Sequence, residues 1–346
     1  MTTEPLIGWD LGGAHLKAAR LGAGGAVDRV FQVACPLWQG LDHLHAAIDA
    51  AISDLGPAPR HAITMTGEMA DLFPSRDAGV LGLAAAMRRH LPGSALEFYA
   101  GERGFVAEAA VAAHTSAIAS ANWLASAALV AARQPAALLV DIGSTTTDII
   151  AVAGGRVRAV GRDDYQRLVS GELVYSGVVR TAVMAVTDAV SFGGDRVPLM
   201  AEYFATMADA YRVLGELPDG ADLHPTADGG PRDATASRRR LARMIGRDLD
   251  SATEAEWRAL AAALRAAQLE RIMAAAVRQV DRAGLPADAP VVAAGVGRFL
   301  LRDLALQLGR PWVDFGDLLP VSAAVRGRVA DCAPAAAVAI LAHARD

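Results

Sequence analysis

Two short stretches carry residue types suited to handling phosphate. The first is Leu6-Ile-Gly-Trp-Asp10-Leu-Gly12-Gly13-Ala-His15-Leu-Lys17; the second is Leu138-Leu-Val-Asp141-Ile-Gly143-Ser144-Thr145-Thr146-Thr147-Asp148, running on to Val152. Each reads as strand, carboxylate, glycine turn and return strand. Glycine lets the backbone turn tightly and approach a ligand, while successive amide N–H groups with Ser and Thr hydroxyls suit an anion. A carboxylate at a strand end can hold Mg²⁺ through water or orient a nucleophile. Lys17 adds a cation on the return strand. One Asp-x-Gly alone is an ordinary β-turn pattern. Two of them, followed by the glycine turn of Val291-Val-Ala-Ala-Gly295-Val-Gly297, imply a duplicated fold whose halves face each other across a cleft, each half contributing one phosphate turn. Gly295 and Gly297 would set backbone against a nucleotide or an equivalent planar group.

The elements that must position these turns follow from periodicity. Asp42 to Leu55 has helical spacing, with Leu44, Ile48, Ala51, Ile52 and Leu55 on one face. His43 and His45, two residues apart, point in different directions and read as surface polarity. A strand at His61 to Met65 runs into Thr66-Gly67-Glu68-Met-Ala-Asp71, which would put Glu68 or Asp71 at a strand's C-terminal end. Ala109 to Ala132 contains no Asp, Glu, Lys or Arg. Its Ala, Ser and Thr content argues for a buried core helix rather than a membrane span, with Asn122 mid-helix and in need of a partner. Arg133-Gln-Pro135 closes a first lobe, residues 1–135, and 136–346 form a second with an insertion at about 161–250. Within that insertion Gly171-Glu172-Leu-Val-Tyr175-Ser-Gly177-Val-Val-Arg180-Thr181 is rich in groups able to recognise carboxylate, amine and aromatic moieties, Arg180 above all. A β-hairpin packed on its own domain is the competing reading. Leu217 to Ala236 is a Pro/Gly/Asp-rich surface loop or flap, without calcium-loop spacing. The helix Glu254 to Ala283 opens with a Thr253/Glu256 capping box.

Composition excludes several classes. The chain has 346 residues, 53% of them hydrophobic, and a net charge of -5. Lys and Arg are scattered apart from Arg238-Arg-Arg240, so nucleic acid is not an expected partner. Cys35 and Cys332 are too few for a disulfide framework or a cysteine metal site and suit a reducing cytoplasm. There is no basic n-region, so neither export nor a membrane is expected. No Ser/His/Asp triad or His-Glu-x-x-His motif competes with the phosphate turns.

The trio of glycine turns resembles the actin, sugar kinase and heat-shock chaperone ATPase superfamily, in the order phosphate-1, phosphate-2, adenosine. Thr64-Met-Thr66-Gly67-Glu68-Met-Ala-Asp71-Leu, Ala121-Asn122-Trp123 and the Gly171 to Thr181 run are similar more specifically to the hydantoinase/oxoprolinase A group, and within it to the short proteins encoded with tetrahydromethanopterin-linked one-carbon pathways. His15 departs from the Asn expected there. The resemblance implies an α/β, two-lobed actin-like (duplicated ribonuclease H-like) fold with a central cleft. It also implies a transferase of methanofuran or methylofuran biosynthesis, which joins an aminomethyl-furan-methyl diphosphate to a γ-glutamyl-tyramine-like phenol and releases pyrophosphate. On that reading Asp10, Gly12, Gly13, Lys17, Asp141, Gly143, Ser144, Thr145 and Thr146 serve the diphosphate, and Asp10 and Asp141 serve Mg²⁺. Asp148 or Glu68 assists phenol deprotonation, and Glu172, Tyr175 and Arg180 meet substrate. Partners are then small molecules, and a homo-oligomer is compatible. Two alternatives stay open: an ATP-dependent hydantoinase/oxoprolinase-like or kinase-like enzyme in which Gly295 and Gly297 hold adenosine, and a non-catalytic nucleotide-binding scaffold.

Overall fold

The computed structural model describes residues 4–345; residues 1–3 and 346, the ends of the two expected lobes, lie outside the described residues. In chain order the strands and helices are β1 (Leu6–Leu11), β2 (His15–Leu21), β3 (Val27–Ala34), α1 (Leu41–Leu55), β4 (Arg60–Met65), α2 (Arg76–His90), β5 (Ala95–Tyr99), β6 (Phe105–Ala107), α3 (Thr115–Ile118) and α4 (Asn122–Ala131). They continue with β7 (Ala136–Ile142), β8 (Thr147–Ala153), β9 (Arg156–Val157), α5 (Asp164–Ser170), β10 (Leu173–Val174), β11 (Ala189–Phe192), β12 (Asp195–Pro198), α6 (Met207–Leu214) and α7 (Ala234–Met244). The last are α8 (Glu254–Ala283), β13 (Val291–Ala294), α9 (Leu301–Gln307), β14 (Trp312–Asp314) and α10 (Ala333–His343). The chain is an α/β protein of two compact units: residues 1–137, 152–158 and 313–346 form the first, and 138–151 with 159–312 form the second. The C-terminal segment thus falls in the first unit, where the sequence reading places the whole of 136–346 in the second.

Small side chains explain that return. In the first unit the sheet order is β3-β2-β1-β4-β5-β6, with β2 antiparallel and β4 parallel to β1. Both faces of β1 are covered, so it reads as an unbroken buried run. On one face α10, built largely of alanine, packs so closely that a Cβ at Gly8 would lie 2.0 Å from the Ala335 carbonyl oxygen. The other face holds Ile7, Trp9, Leu11, Ile63 and Met65 in a core shared with α1 and α2.

The alanine-rich stretch is not one helix. It breaks into a 3-10 turn at Glu108–Ala113, then α3, then α4. Among the described residues Ser120, between the last two, is the non-glycine with a positive φ, 49°. Alanine's helix propensity favours a continuous helix, but Ser120 is held outside it by Glu68 and Arg76. Asn122 therefore opens α4 instead of sitting mid-helix.

The second sheet runs β10-β8-β7-β13-β14, with β9 on β8. Each sheet has a central strand, a hairpin partner on one side and a parallel strand on the other: β1 with β2 and β4, β7 with β8 and β13. This repeated order is the duplication that the two Asp-x-Gly turns imply. Helix α8 has its capping box, the Glu256 carboxylate accepting from Thr253 N at 2.7 Å, and ends at Gly284 in the left-handed conformation. The 217–236 loop is tied down: fully buried Arg240 donates to Asp209, Asp228 and the Pro231 carbonyl, and Arg212 to Asp222 at 2.5 Å.

Candidate active site

In the first unit Asp10 stands opposite Lys17 in the β1–β2 register and opposite Thr64 in the β1–β4 register. The turn between the strands closes with Gly12 N donating to His15 O at 3.0 Å, and a Cβ on Gly12 would lie 2.7 Å from that oxygen. Neighbouring backbone pins the turn: Leu37 N donates to Gly13 O, Cys35 N to Ala14 O and Thr66 N to Leu11 O. Gly67 presses on it from the β4 side, where a Cβ would lie 3.0 Å from Leu11 O. The Asp10 carboxylate is buried and accepts from Asn122 Nδ2 at 3.5 Å, while Asn122 Oδ1 accepts from Trp123 N at 2.7 Å. That second bond sets the amide's orientation and turns its N–H groups toward Asp10. Sequence reasoning gave Asn122 only a generic hydrogen bond. Burial pushes the nearby Cys332 thiol up to about 12, so it carries no thiolate.

Glu68 is fully buried, and its Oε1 accepts from Ser120 Oγ at 2.8 Å and Arg76 Nη2 at 3.2 Å. Arg76 also donates to Ser120 Oγ at 2.7 Å. A Cβ on Gly79 would lie 2.3 Å from Glu68 O, so α2 is seated directly on this residue. The carboxylate thus braces the bend two residues before Asn122. Asp71 is exposed.

In the second unit three segments meet at one turn. Gly143 N donates to Thr146 O at 2.8 Å, closing the hairpin, and the Ser144 and Thr145 hydroxyls lie 3.3 Å apart. The segment after β10 then threads along it: Val178 N donates to Gly143 O, and Val179 N and Arg180 N both donate to Ser144 O. Only glycine fits at 177, where a Cβ would lie 2.4 Å from Ser144 C and Thr145 N. The Arg180 guanidinium donates to Thr145 Oγ1 at 3.3 Å. From β13, Gly297 N donates to Ile142 O at 2.8 Å, and Gly295 has φ 81° with space for a Cβ closed off 2.4 Å from Asp141 Oδ1.

A buried amide supports this assembly. Gln268 of α8 donates to Ser176 Oγ at 2.7 Å and Gly177 O at 2.9 Å, and accepts from the Tyr211 hydroxyl. Gln268 was legible only as a polar residue interrupting the apolar stripe Leu264, Leu269, Ile272.

Other candidates take different places. Asp148 is paired with the buried Arg167 at 2.5 Å. Glu172 is fully buried: its carboxylate accepts from Val160 N, Gly161 N and Ser170 Oγ and pairs with Arg282. It ties the 160–161 loop and α8 together, where residue type suggested a substrate contact. Only Leu173–Val174 of the Gly171 to Thr181 run, whose competing reading was a β-hairpin, is strand. Tyr175 is exposed; it and Tyr203 act electrostatically on Arg180, whose own pKa is lowered by burial.

Among the described residues no group of three or more His, Cys, Asp or Glu could hold a metal ion. Each unit offers a single aspartate beside its turn, Asp10 in the first and Asp141 in the second, and a lone carboxylate suits a Mg²⁺ that arrives on phosphate oxygens and keeps most of its waters. No helix among the described residues is long and apolar enough to cross a membrane.

The chain is 28% identical over 252 residues to the (4-{4-[2-(gamma-L-glutamylamino)ethyl]phenoxymethyl}furan-2-yl)methanamine synthase of Methanocaldococcus jannaschii, covering 72% of this chain and 74% of that protein. It is 29% identical over 171 residues to the Methanococcus vannielii synthase of the same name, covering 49% of this chain and 75% of that protein. Among solved structures, nucleotide-free acetone carboxylase superposes with a TM-score of 0.58 at 11% identity, over 88% of this chain and 67% of that one, a likeness of fold. Residues 61–336 match the hydantoinase/oxoprolinase family model, and the chain belongs to that family.

Proposed function

We propose that the protein is a transferase that forms an aryl ether in methanofuran or methylofuran biosynthesis. An aminomethyl-furan-methyl diphosphate is the donor and a γ-glutamyl-tyramine-like, tyrosine-derived phenol the acceptor. The observation that carries this reading is the similarity to two synthases whose product contains that phenoxymethyl-furan link. In the reaction the bond between the furan-methyl carbon and the diphosphate oxygen breaks, and its electron pair leaves with the diphosphate. The phenol oxygen bonds to the same carbon, and its proton passes to the departing diphosphate or to water. A furan-methyl carbon tolerates developing positive charge, so the enzyme's main task is to stabilise charge on the leaving group.

The groups assigned to that task are the backbone and hydroxyls of the Gly143–Thr146 turn with Asp141, and the Gly12–Gly13 turn with Asp10 and Lys17. Asp10 in the first unit and Asp141 in the second are each assigned as a carboxylate able to meet Mg²⁺, and bound Mg²⁺ would supply counter-charge to the diphosphate. The resting position of Asp148 against Arg167, and of Glu68 against Ser120 and Arg76, supports assigning both as braces and not as the base.

Incubating the purified protein with the furan-methyl diphosphate and a tyramine-type phenol, with and without ATP, tests the proposal. Ether and pyrophosphate formed in equal amounts without ATP are the expected result. ATP turnover on a cyclic amide would replace it with the hydantoinase/oxoprolinase-like reading, and nucleotide binding without turnover with the scaffold reading.

A further inference from the structure

We infer that Arg180 is a leaving-group residue: its guanidinium holds the departing diphosphate at the Ser144–Thr145 turn, where residue type alone suggested an acceptor carboxylate. The inference rests on the functional reading above and deepens it.

Geometry ties Arg180 to the anion turn through both main chain and side chain. Its backbone N donates to Ser144 O at 2.8 Å, and its Nη1 to Thr145 Oγ1 at 3.3 Å. The two residues before it are bonded to the same turn, Val178 N to Gly143 O and Val179 N to Ser144 O, both at 3.1 Å. Gly177 closes the approach, since its Cβ-less backbone lies against Ser144 and Thr145. Buried Gln268 holds Ser176 and Gly177 from behind. The backbone that carries the guanidinium is therefore fixed to the turn.

An oxyanion accepting the Thr145 hydroxyl at about 2.7 Å would lie within about 6 Å of Nη1. Arg suits phosphate oxygens because its planar fork donates two parallel hydrogen bonds and stays charged when partly buried. Arg180 transfers no proton; its charge is matched by the electron pair that the diphosphate oxygen gains when the carbon–oxygen bond breaks. Tyr175 and Tyr203 act on it electrostatically, opposing the lowering by burial.

The test is calorimetric binding of inorganic pyrophosphate, with Mg²⁺, to the wild-type protein and to Arg180→Gln, alongside kcat and the acceptor KM. We expect pyrophosphate affinity to fall about 10–100-fold, kcat to fall with it, and the acceptor KM to stay within about twofold. Arg180→Lys keeps the charge and recovers part of the affinity. Unchanged pyrophosphate affinity with a raised acceptor KM would overturn the inference and return Arg180 to the acceptor. A wild-type protein that binds no pyrophosphate would sink the functional reading, and the inference with it. A second measurement needs no variant: dicarbonyl modification of Arg180 in the wild-type protein, followed by mass spectrometry. Protection by pyrophosphate supports the inference; protection by the phenolic acceptor alone refutes it.

Discussion

The Tyr211 hydroxyl donates to Gln268 Oε1 at 2.5 Å, and the same amide donates onward to Gly177 O, which lies against the Ser144–Thr145 turn. Helices α6 and α8, some sixty-five and a hundred and twenty residues further along the chain, thereby set the position of the turn. Gln268→Leu would leave Tyr211, Ser176 and Gly177 O without their partner in a dry interior. Its stability should fall by about 1–3 kcal/mol, read as a lower urea midpoint at unchanged slope. Gly177→Ala, which overpacks the same contact, should lose about as much and also weaken pyrophosphate binding. A Gly177→Ala protein with wild-type pyrophosphate affinity would mean that this contact does not shape the turn.

Asn122 faces Asp10 with its N–H groups because its oxygen is taken by Trp123 N. Asn122→Asp sets a second carboxylate beside the first at nearly constant shape, and like charges disfavour each other's ionisation. The acid limb of the kcat/KM profile should move to higher pH, by roughly one unit. Asn122→Ala, which only removes a long hydrogen bond to that carboxylate, should lower activity and move the limb the same way by less. An identical profile in all three proteins would remove Asn122 from any role at Asp10.

His61 gives the first unit a pH dependence. Burial, assisted by the charge of Arg88 and opposed by a backbone hydrogen bond at Ala58, lowers its pKa to about 4 from 6.5. Its Nδ1 accepts from Trp9 Nε1 at 3.1 Å, as the neutral ring can. Between those pH values the unfolded chain binds the proton and the folded one does not. The contribution is thus fully present above about 6.5, declines as pH falls toward about 4, and changes no further below that. Its upper size is about 3 kcal/mol. His61→Asn, which keeps an acceptor for Trp9, should flatten the stability curve across that window in urea titrations. An equally steep curve would assign the slope to other groups.

Glu172 is a brace in the second unit. Glu172→Gln keeps the shape but weakens its bonds to two amides and Arg282, and should cost about 1–3 kcal/mol of stability. The KM for the phenolic acceptor should change less than twofold in the surviving folded protein. A large rise in that KM at unchanged stability would restore Glu172 to the substrate.

How much was legible depends on how local the cause is. The α8 capping box and the glycine turns were readable because each is set by residues within a few positions of one another: Thr253 and Glu256 satisfy each other's backbone, and Gly12 and Gly143 each close a four-residue turn. The break at Ser120 was not, because it is held by Glu68 and Arg76, some fifty and forty-four residues away.

Sequence by itself determined the repeated unit, a carboxylate-ended strand, a glycine turn and a return strand, since an unbroken apolar run and the steric freedom of glycine are properties of the local chain. Tertiary structure alone decided which polar residues serve the turns and which serve the fold. Glu172 and Asp148 look as reactive in sequence as Asp10 and Asp141, and their commitment to Arg282 and Arg167 arises only when distant elements bring the partners together. A buried charge must be matched wherever the fold places its counter-charge, and that placement is not written in the spacing of either residue.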